Sequence, residues 1–179
     1  MRHSMLLLVL ATTACASTTT SRATADRQRD IIYDDKVGTV RTSAHPARAT
    51  VAIAATPDKT WDAMMTAYAV IGVDVKYLNR PTGELGNRDA LMSRRIATGE
   101  LSKYLDCGID PFAGPQANAY PVKTSVVTRM WPDGAGTKIE TMFSGSMTKP
   151  GAGATVHCSS TGSLERLIAV TVDKLSTQP

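Results

Sequence analysis

The stretch VKTSVVTRMWPDGAGTKIETMFSGSMT, residues 122–148, contains two β-branched and apolar runs on either side of a turn signal. The runs have the composition of strands, and PDGAG between them favours a turn. Ile139 and Phe143 fall on one face of the second run. The other face carries Lys138, Glu140 and Ser144. This alternation predicts two antiparallel strands, residues 122–131 and 137–148, with one packed face and one wetter face.

A helix is predicted before this hairpin, from Pro57 to about residue 71. Thr56 is placed as the N-cap, proline suits the first helical position, and Gly72 can end the helix in a left-handed conformation. The large apolar residues recur at i, i+3, i+4 and i+7, which predicts a single stripe that faces either the core or a ligand. They are Trp61, Met64, Met65 and Tyr68.

A second helix is predicted after the hairpin, near the carboxyl end of the chain. Ser160, Thr161 or Gly162 can cap it, and Glu165 lies in its first turn. Its apolar residues form a stripe that can pack on a sheet. They are Leu164, Leu167, Ile168, Val172 and Leu175.

Shorter patterns fill the rest of the chain. Residues 49–55, 73–78, 83–88 and 155–158 have strand character, and DPFAGPQANAYP at 110–121 favours a loop because of its prolines and glycines. The element order therefore predicts an α+β fold, with an antiparallel sheet and two main helices packed on one face.

The amino terminus has the layout of an export signal. Arg2 precedes the apolar run MLLLVL, which is too short to span a bilayer, and small residues follow. TTAC, ending at Cys15, is similar to a bacterial lipobox, in which the cysteine is lipidated and becomes the first residue. The alternative is ordinary cleavage after Ala14-Cys15-Ala16, which discards the cysteine. We predict a lipoprotein signal peptide at 1–14, a flexible tether at 15–30 and one α+β domain at 31–179.

If lipid takes Cys15, then Cys107 and Cys158 remain as a pair. In an oxidising compartment a disulfide is the expected outcome. Two free buried thiols are one alternative. A zinc site that also uses His157 is another, but adjacent side chains on a strand point to opposite faces.

Local catalytic signatures are scarce. Ser146-Met147-Thr148-Lys149 matches S-x-x-K, but it falls in a strand pattern, whereas that motif works at the start of a helix. His45 and His157 are the two histidines beyond the signal, and neither has a neighbouring pattern of triad partners. We therefore predict no catalytic residues, no metal and no cofactor.

The charge pattern is mild, with a formal net charge of +4 spread along the chain. Arg94 and Arg95 form the one compact basic pair, with Arg88 and Lys103 nearby in sequence. This pair either forms a solvated edge or contacts a partner. Nucleic-acid motifs are absent, and an export signal argues against that class of partner.

The element order over residues 48–175 resembles that of helix-grip domains, including those of the lipoprotein C subunit of the outer-membrane β-barrel assembly machine. YLDCG at 104–108 and CSSTG at 158–162 are similar to segments of small bacterial envelope lipoproteins with a single such domain. The resemblance implies an envelope lipoprotein with a helix-grip-like fold. The assembly subunit has two of these domains, and this chain has room for one.

These observations favour an exported protein that is anchored to a membrane through lipid on Cys15 and faces the periplasm, at the outer membrane if the host has one. The expected role is a non-enzymatic binding or scaffold module for an envelope partner. The alternatives are a carrier of a small apolar ligand between sheet and helices, and a hydrolase that unites a histidine, a serine and a carboxylate.

Overall fold

The structure is a computed structural model that describes residues 29–34, 38–43, 48–149, 151 and 153–178, with the backbone alone for residues 29–49. The predicted signal peptide, Cys15 and His45 lie outside the described residues, as does the predicted tether apart from its last two positions. The first strand begins at Arg29, two residues before the predicted start of the domain.

The described chain forms thirteen strands and three α-helices. In chain order the strands are β1 (Arg29–Asp34), β2 (Gly38–Ser43), β3 (Arg48–Ile53), β4 (Tyr77–Asn79), β5 (Glu84–Met92), β6 (Arg95–Ile96), β7 (Gly99–Glu100), β8 (Leu105–Asp106), β9 (Ile109–Asp110), β10 (Gly114–Pro115), β11 (Val122–Asp133), β12 (Gly136–Thr148) and β13 (Thr155–Ser160). The helices are α1 (Pro57–Ile71), α2 (Gln116–Ala119) and α3 (Ser163–Ser176), with a 3₁₀ turn at Leu101–Lys103.

Seven strands form the main sheet, in the order β4-β5-β11-β12-β13-β8, with β3 also paired to β12. The predicted hairpin of two long strands, β11 and β12, is confirmed and forms its centre. The other edge of β12 is shared, since Thr137–Met142 pair with β3 and Gly145–Thr148 pair with β13. All of these pairings are antiparallel, so the predicted sheet type is confirmed.

Both long helices lie on one face of this sheet, as predicted. They pack against each other, while α1 also contacts β11 and β12 and α3 contacts β3 and β12. Ile139 and Phe143 of β12 are fully buried beneath them. Lys138, Glu140 and Ser144 lie on the opposite face, which leaves them partly or fully exposed. The α+β, helix-grip-like arrangement predicted from the sequence is therefore present.

The stripe predicted on α1 is correct except at one position. Trp61, Met64 and Tyr68 are buried, whereas Met65 is 37% exposed. The buried side of α1 continues through small residues, which let α3 and the sheet approach closely, and Met65 lies beyond the edge of that side. The small residues are Thr60, Ala63 and Ala67. The predicted ends of the helix hold: Thr56 is the N-cap residue, although its hydroxyl makes no capping hydrogen bond, and Gly72 is left-handed.

Two further expectations need correction. The strand predicted at 73–78 is observed only at Tyr77–Asn79. Before this strand, the Asp74 carbonyl accepts a hydrogen bond from the Asn87 side chain and is not part of a backbone ladder. The loop predicted at 110–121 contains the four-residue helix α2, which begins directly after a proline.

A chain of hydroxyl groups crosses the interface between α1 and the sheet. Tyr68 Oη lies 2.9 Å from Thr128 Oγ1, which in turn lies 2.8 Å from Thr141 Oγ1. Burial raises the pKa of Tyr68 well above its ordinary value, so the phenol remains neutral and able to donate. Of the side chains that the sequence placed against either a core or a ligand, Trp61, Met64 and Tyr68 thus lie in the core, and Tyr68 is hydrogen-bonded within it.

One buried carboxyl group in this core has no strong partner. Glu165, in the first turn of α3, is 0% exposed, and neither carboxyl oxygen makes a hydrogen bond within the described structure. Burial raises its pKa, although the Ser160 hydroxyl and the backbone of Phe143 lie near enough to oppose that rise. The folded protein therefore holds a proton here more tightly than the unfolded chain does.

We expect Glu165→Gln to increase the free energy of unfolding at pH 7. The pKa of Glu165 in the folded protein is raised above its unfolded value of 4.5. The wild-type protein therefore loses stability as the pH rises from below 4.5 through the folded pKa, whereas the glutamine variant, which does not ionise, keeps its stability. Urea unfolding at pH 7 and at ~pH 4 measures this, and the difference should disappear at the lower pH. Glu140→Gln on the opposite face is the control. A loss of stability in Glu165→Gln at pH 7 would show that the carboxylate is paired.

Candidate functional site

A disulfide joins Cys107 to Cys158, as predicted, across 51 residues of sequence. The pairing of β8 with β13, in which Asp106 lies opposite Ser159, continues by one residue to set the two cysteines opposite each other. Both are buried. The bond therefore fastens the segment that follows Cys107 to the edge of the main sheet.

That segment is a short loop, residues 108–115, which we call the Phe112 loop. Phe112 at its tip is 100% exposed, and Ile109 is 72% exposed. The base of the loop is the paired strands β9 and β10. An aromatic side chain that is wholly in solvent is uncommon on a soluble domain and is typical of interaction sites.

The Phe112 loop is held in shape by Asp110. Its Oδ1 accepts hydrogen bonds from the amides of Phe112 at 2.9 Å and Ala113 at 3.1 Å, and its Oδ2 lies 3.2 Å from Lys149 Nζ. These hydrogen bonds, with help from Lys149, hold the pKa of Asp110 below its usual value. Phe112 is therefore presented on an ordered turn.

We expect Asp110→Ala to accelerate amide hydrogen exchange at Phe112 and Ala113, because both amides lose their acceptor. The wild-type protection should be full above the unfolded pKa of 3.8 and fall as the pH drops through the lower folded pKa. Exchange measured by NMR across that range tests both statements. Asp133→Ala, at the end of β11, should leave these amides unchanged. Equal exchange in Asp110→Ala and wild type would contradict this role.

The face of the sheet opposite the helices carries a polar groove of about 380 Å³, which we call the open-face groove. Lys123, Ser146 and His157 lie side by side on β11, β12 and β13, because Ser146 is paired with both of the others. Two residues further along β11 and β12, Ser125 lies opposite Ser144. The side chains that line the groove are Arg88, Asp89, Lys123, Ser125, Ser144, Ser146 and His157.

The groove brings together a histidine, serines and a carboxylate, which are the residue types required by the hydrolase alternative. However, Asp89 Oδ1 lies 2.8 Å from Lys123 Nζ, and this bond lowers the pKa of Asp89. No hydrogen bond within the described part of the chain joins His157 to a serine or to Asp89. A base that is oriented by a carboxylate and bonded to its nucleophile is what nucleophilic catalysis needs.

The other residues selected from the sequence are placed elsewhere. Ser146 and Lys149 of the S-x-x-K match lie on or next to strand β12, and Lys149 is paired with Asp110. Arg94 and Arg95 are exposed at the start of β6. Their neighbours in sequence serve other contacts, since Arg88 lies 4.5 Å over the Tyr77 ring and Lys103 lies 5.4 Å over the Tyr104 ring.

Two general features of the described residues bear on the site. None of their helices has the length and apolar character needed to cross a membrane. Within the same ranges, no cluster of three or more histidine, cysteine, aspartate or glutamate side chains is arranged to hold a metal ion.

Sequence reasoning missed both the Phe112 loop and the open-face groove. The local signal for Phe112 is an aromatic residue within DPFAG, a segment that proline and glycine favour as a loop. The row of Lys123, Ser146 and His157 depends on the register of three strands, which no local pattern encodes.

Comparison with known proteins adds no relatives. No protein-family model matches the chain, and no curated protein matches it at a significant level. The site is therefore interpreted from its own geometry.

Proposed function

We propose that this chain is an exported envelope lipoprotein, anchored through Cys15, whose single domain is a non-enzymatic module that binds a protein partner. The sequence TTAC and the polar stretch at 17–30 support the anchor, and a disulfide within the domain suits an oxidising compartment. The observation that carries the binding role is Phe112, which is 100% exposed on an ordered loop.

The loop has the features of a preorganised contact. Its base is fastened by the disulfide at Cys107, and its tip is fixed by the hydrogen bonds to Asp110. A loop backbone that is already held in shape loses little conformational freedom on binding. Large aromatic anchors that insert into a partner's pocket commonly supply much of the binding energy of an interface.

The charge around the loop favours a protein over an anionic bilayer. Asp106 precedes Ile109, and Asp110 lies between Ile109 and Phe112. Among the described side chains, the cation that contacts the loop is Lys149, which is already paired with Asp110. Segments that enter the bilayer interface generally combine several apolar residues with free lysine or arginine. A partner with an apolar pocket therefore fits better than a lipid surface.

Site-specific photo-crosslinking in the host tests the role of Phe112. A benzophenone amino acid at position 112 of the full chain should yield a discrete protein adduct. The same probe at Val170, which is 62% exposed on α3, should not. Once the adduct is identified, Phe112→Ser should weaken binding of that protein by roughly thirtyfold, since a central aromatic anchor contributes about 2 kcal/mol.

The stability of Phe112→Ser should equal that of the wild type, because the side chain makes no buried contacts, so any loss of binding will not reflect unfolding. Equal adducts at both positions, adducts to lipid alone, or unchanged affinity in Phe112→Ser would each contradict the proposal.

A further inference from the structure

A second binding feature lies apart from the Phe112 loop, on the open face of the sheet. Lys123, Ser146 and His157 are neighbours on three adjacent strands, so their Cα atoms are spaced by ~4.8 Å across the sheet. Their side chains point away from the core, because the alternate residues of the same strands are buried. Ser146 is short and is flanked by two longer nitrogen-bearing side chains, which creates a depression above its hydroxyl.

The donors in this depression differ in kind. An ammonium group, a hydroxyl group and an imidazole ring stand in a row across three strands, and a tetrahedral oxyanion has enough oxygens to accept a hydrogen bond from each. A planar carboxylate offers only two oxygens. Lysine is a common binder of phosphate, and hydrogen bonds to an ionised group are the stronger ones.

Two cations and one carboxylate line the groove. Arg88 also lies 3.7 Å from Glu84, which is outside the lining, so the cation that an anion would meet is Lys123. Asp89 Oδ1 forms an ion pair with Lys123 Nζ at 2.8 Å. Because both side chains are mostly exposed, this ion pair is weak, and an anionic ligand can displace the Asp89 carboxylate from Lys123.

The rest of the groove indicates what accompanies the anion. Ser125 and Ser144 lie opposite each other next to Ser146 and present further hydroxyl groups. These hydroxyl groups can pair with a ligand that carries hydroxyls beside its charge. We infer that the open-face groove binds the phosphate group of a phosphorylated sugar, with Lys123, Ser146 and His157 as its ligands. This site is independent of the protein partner proposed for Phe112.

NMR titration of the full chain in nonionic detergent tests this inference. Glucose 6-phosphate should shift the amide resonances of Ser144, Ser146 and His157 in a saturable way. It should bind several-fold more tightly than inorganic phosphate at matched ionic strength. Lys123→Ala should weaken binding about tenfold, the loss of one hydrogen bond to a charged group. Asp89→Asn should strengthen binding, because Lys123 loses its competing carboxylate. Lys138→Ala, at the other end of the same face, should have no effect.

Several results would overturn the inference. They are amide shifts that do not saturate, binding of acetate as tight as that of glucose 6-phosphate, or an unchanged affinity of Lys123→Ala for glucose 6-phosphate. Vesicles of phosphatidylglycerol that perturb the same amides more strongly than the sugar phosphate would assign the site to a lipid headgroup instead. Because Phe112→Ser should leave this titration unchanged, failure here is distinguishable from failure of the proposed protein contact.

Discussion

Replacing Cys107 with alanine should lower the free energy of unfolding by about 4 kcal/mol, the chain-entropy value for a closed loop of this size. The loop between Cys107 and Cys158 spans 51 residues, so the unfolded chain gains much conformational freedom when the bond is absent. The same substitution releases the Phe112 loop from the edge of the sheet. Denaturant unfolding of the wild-type and variant chains measures the difference.

Two comparisons make this test specific. The reduced wild-type protein should lose about as much stability as Cys107→Ala, because both lack the same covalent bond. Cys15→Ala should lose none, since the pair in the folded domain remains intact. If oxidised and reduced wild-type protein unfold at the same denaturant concentration, the disulfide does not stabilise the domain.

Phe143→Ala should be almost as severe, with a loss of about 3–5 kcal/mol, as for other large-to-small changes in a packed core. Phe143 is fully buried on the inner face of β12, where the sheet meets the helices. Its neighbour Met142 lies on the opposite face and is partly exposed. Met142→Ala should therefore lose only about 1 kcal/mol. Thermal or urea unfolding of the two variants compares the two faces of one strand.

A similar loss in both variants would contradict this assignment of faces. It would mean that the side of the sheet with the open-face groove is as buried as the side beneath α1 and α3. The pair also serves the binding experiments, because a groove on a buried face could not receive a ligand.

The parts of the fold that could be predicted from sequence are those with a strong local signal. The hairpin of β11 and β12 follows from two alternating runs around PDGAG, and α1 follows from its stripe together with Pro57 and Gly72. Met65 was assigned to the stripe that faces either the core or a ligand because its spacing matches the helical period. It is 37% exposed, and the buried side of α1 is completed by small residues. The spacing of large apolar residues does not identify these small buried residues.

The candidate site was less predictable because it depends on pairing between distant segments. The division of one edge of β12 between β3 and β13 brings His157 beside Ser146, although neither segment reveals its partner. The disulfide could be predicted from cysteine number and compartment alone. What it does in the fold, which is to fasten the Phe112 loop to the sheet, required the register of β8 with β13.

We propose that Cys15 carries lipid and that Cys107 and Cys158 are bonded to each other outside the cytosol. Mass spectrometry of the protein purified from its host, alkylated without reduction and then digested, measures both modifications. We expect an amino-terminal diacylglyceryl group on residue 15 and a linked pair of peptides containing Cys107 and Cys158. A mature amino terminus at Ser17, or alkylated thiols at positions 107 and 158, would contradict the proposal.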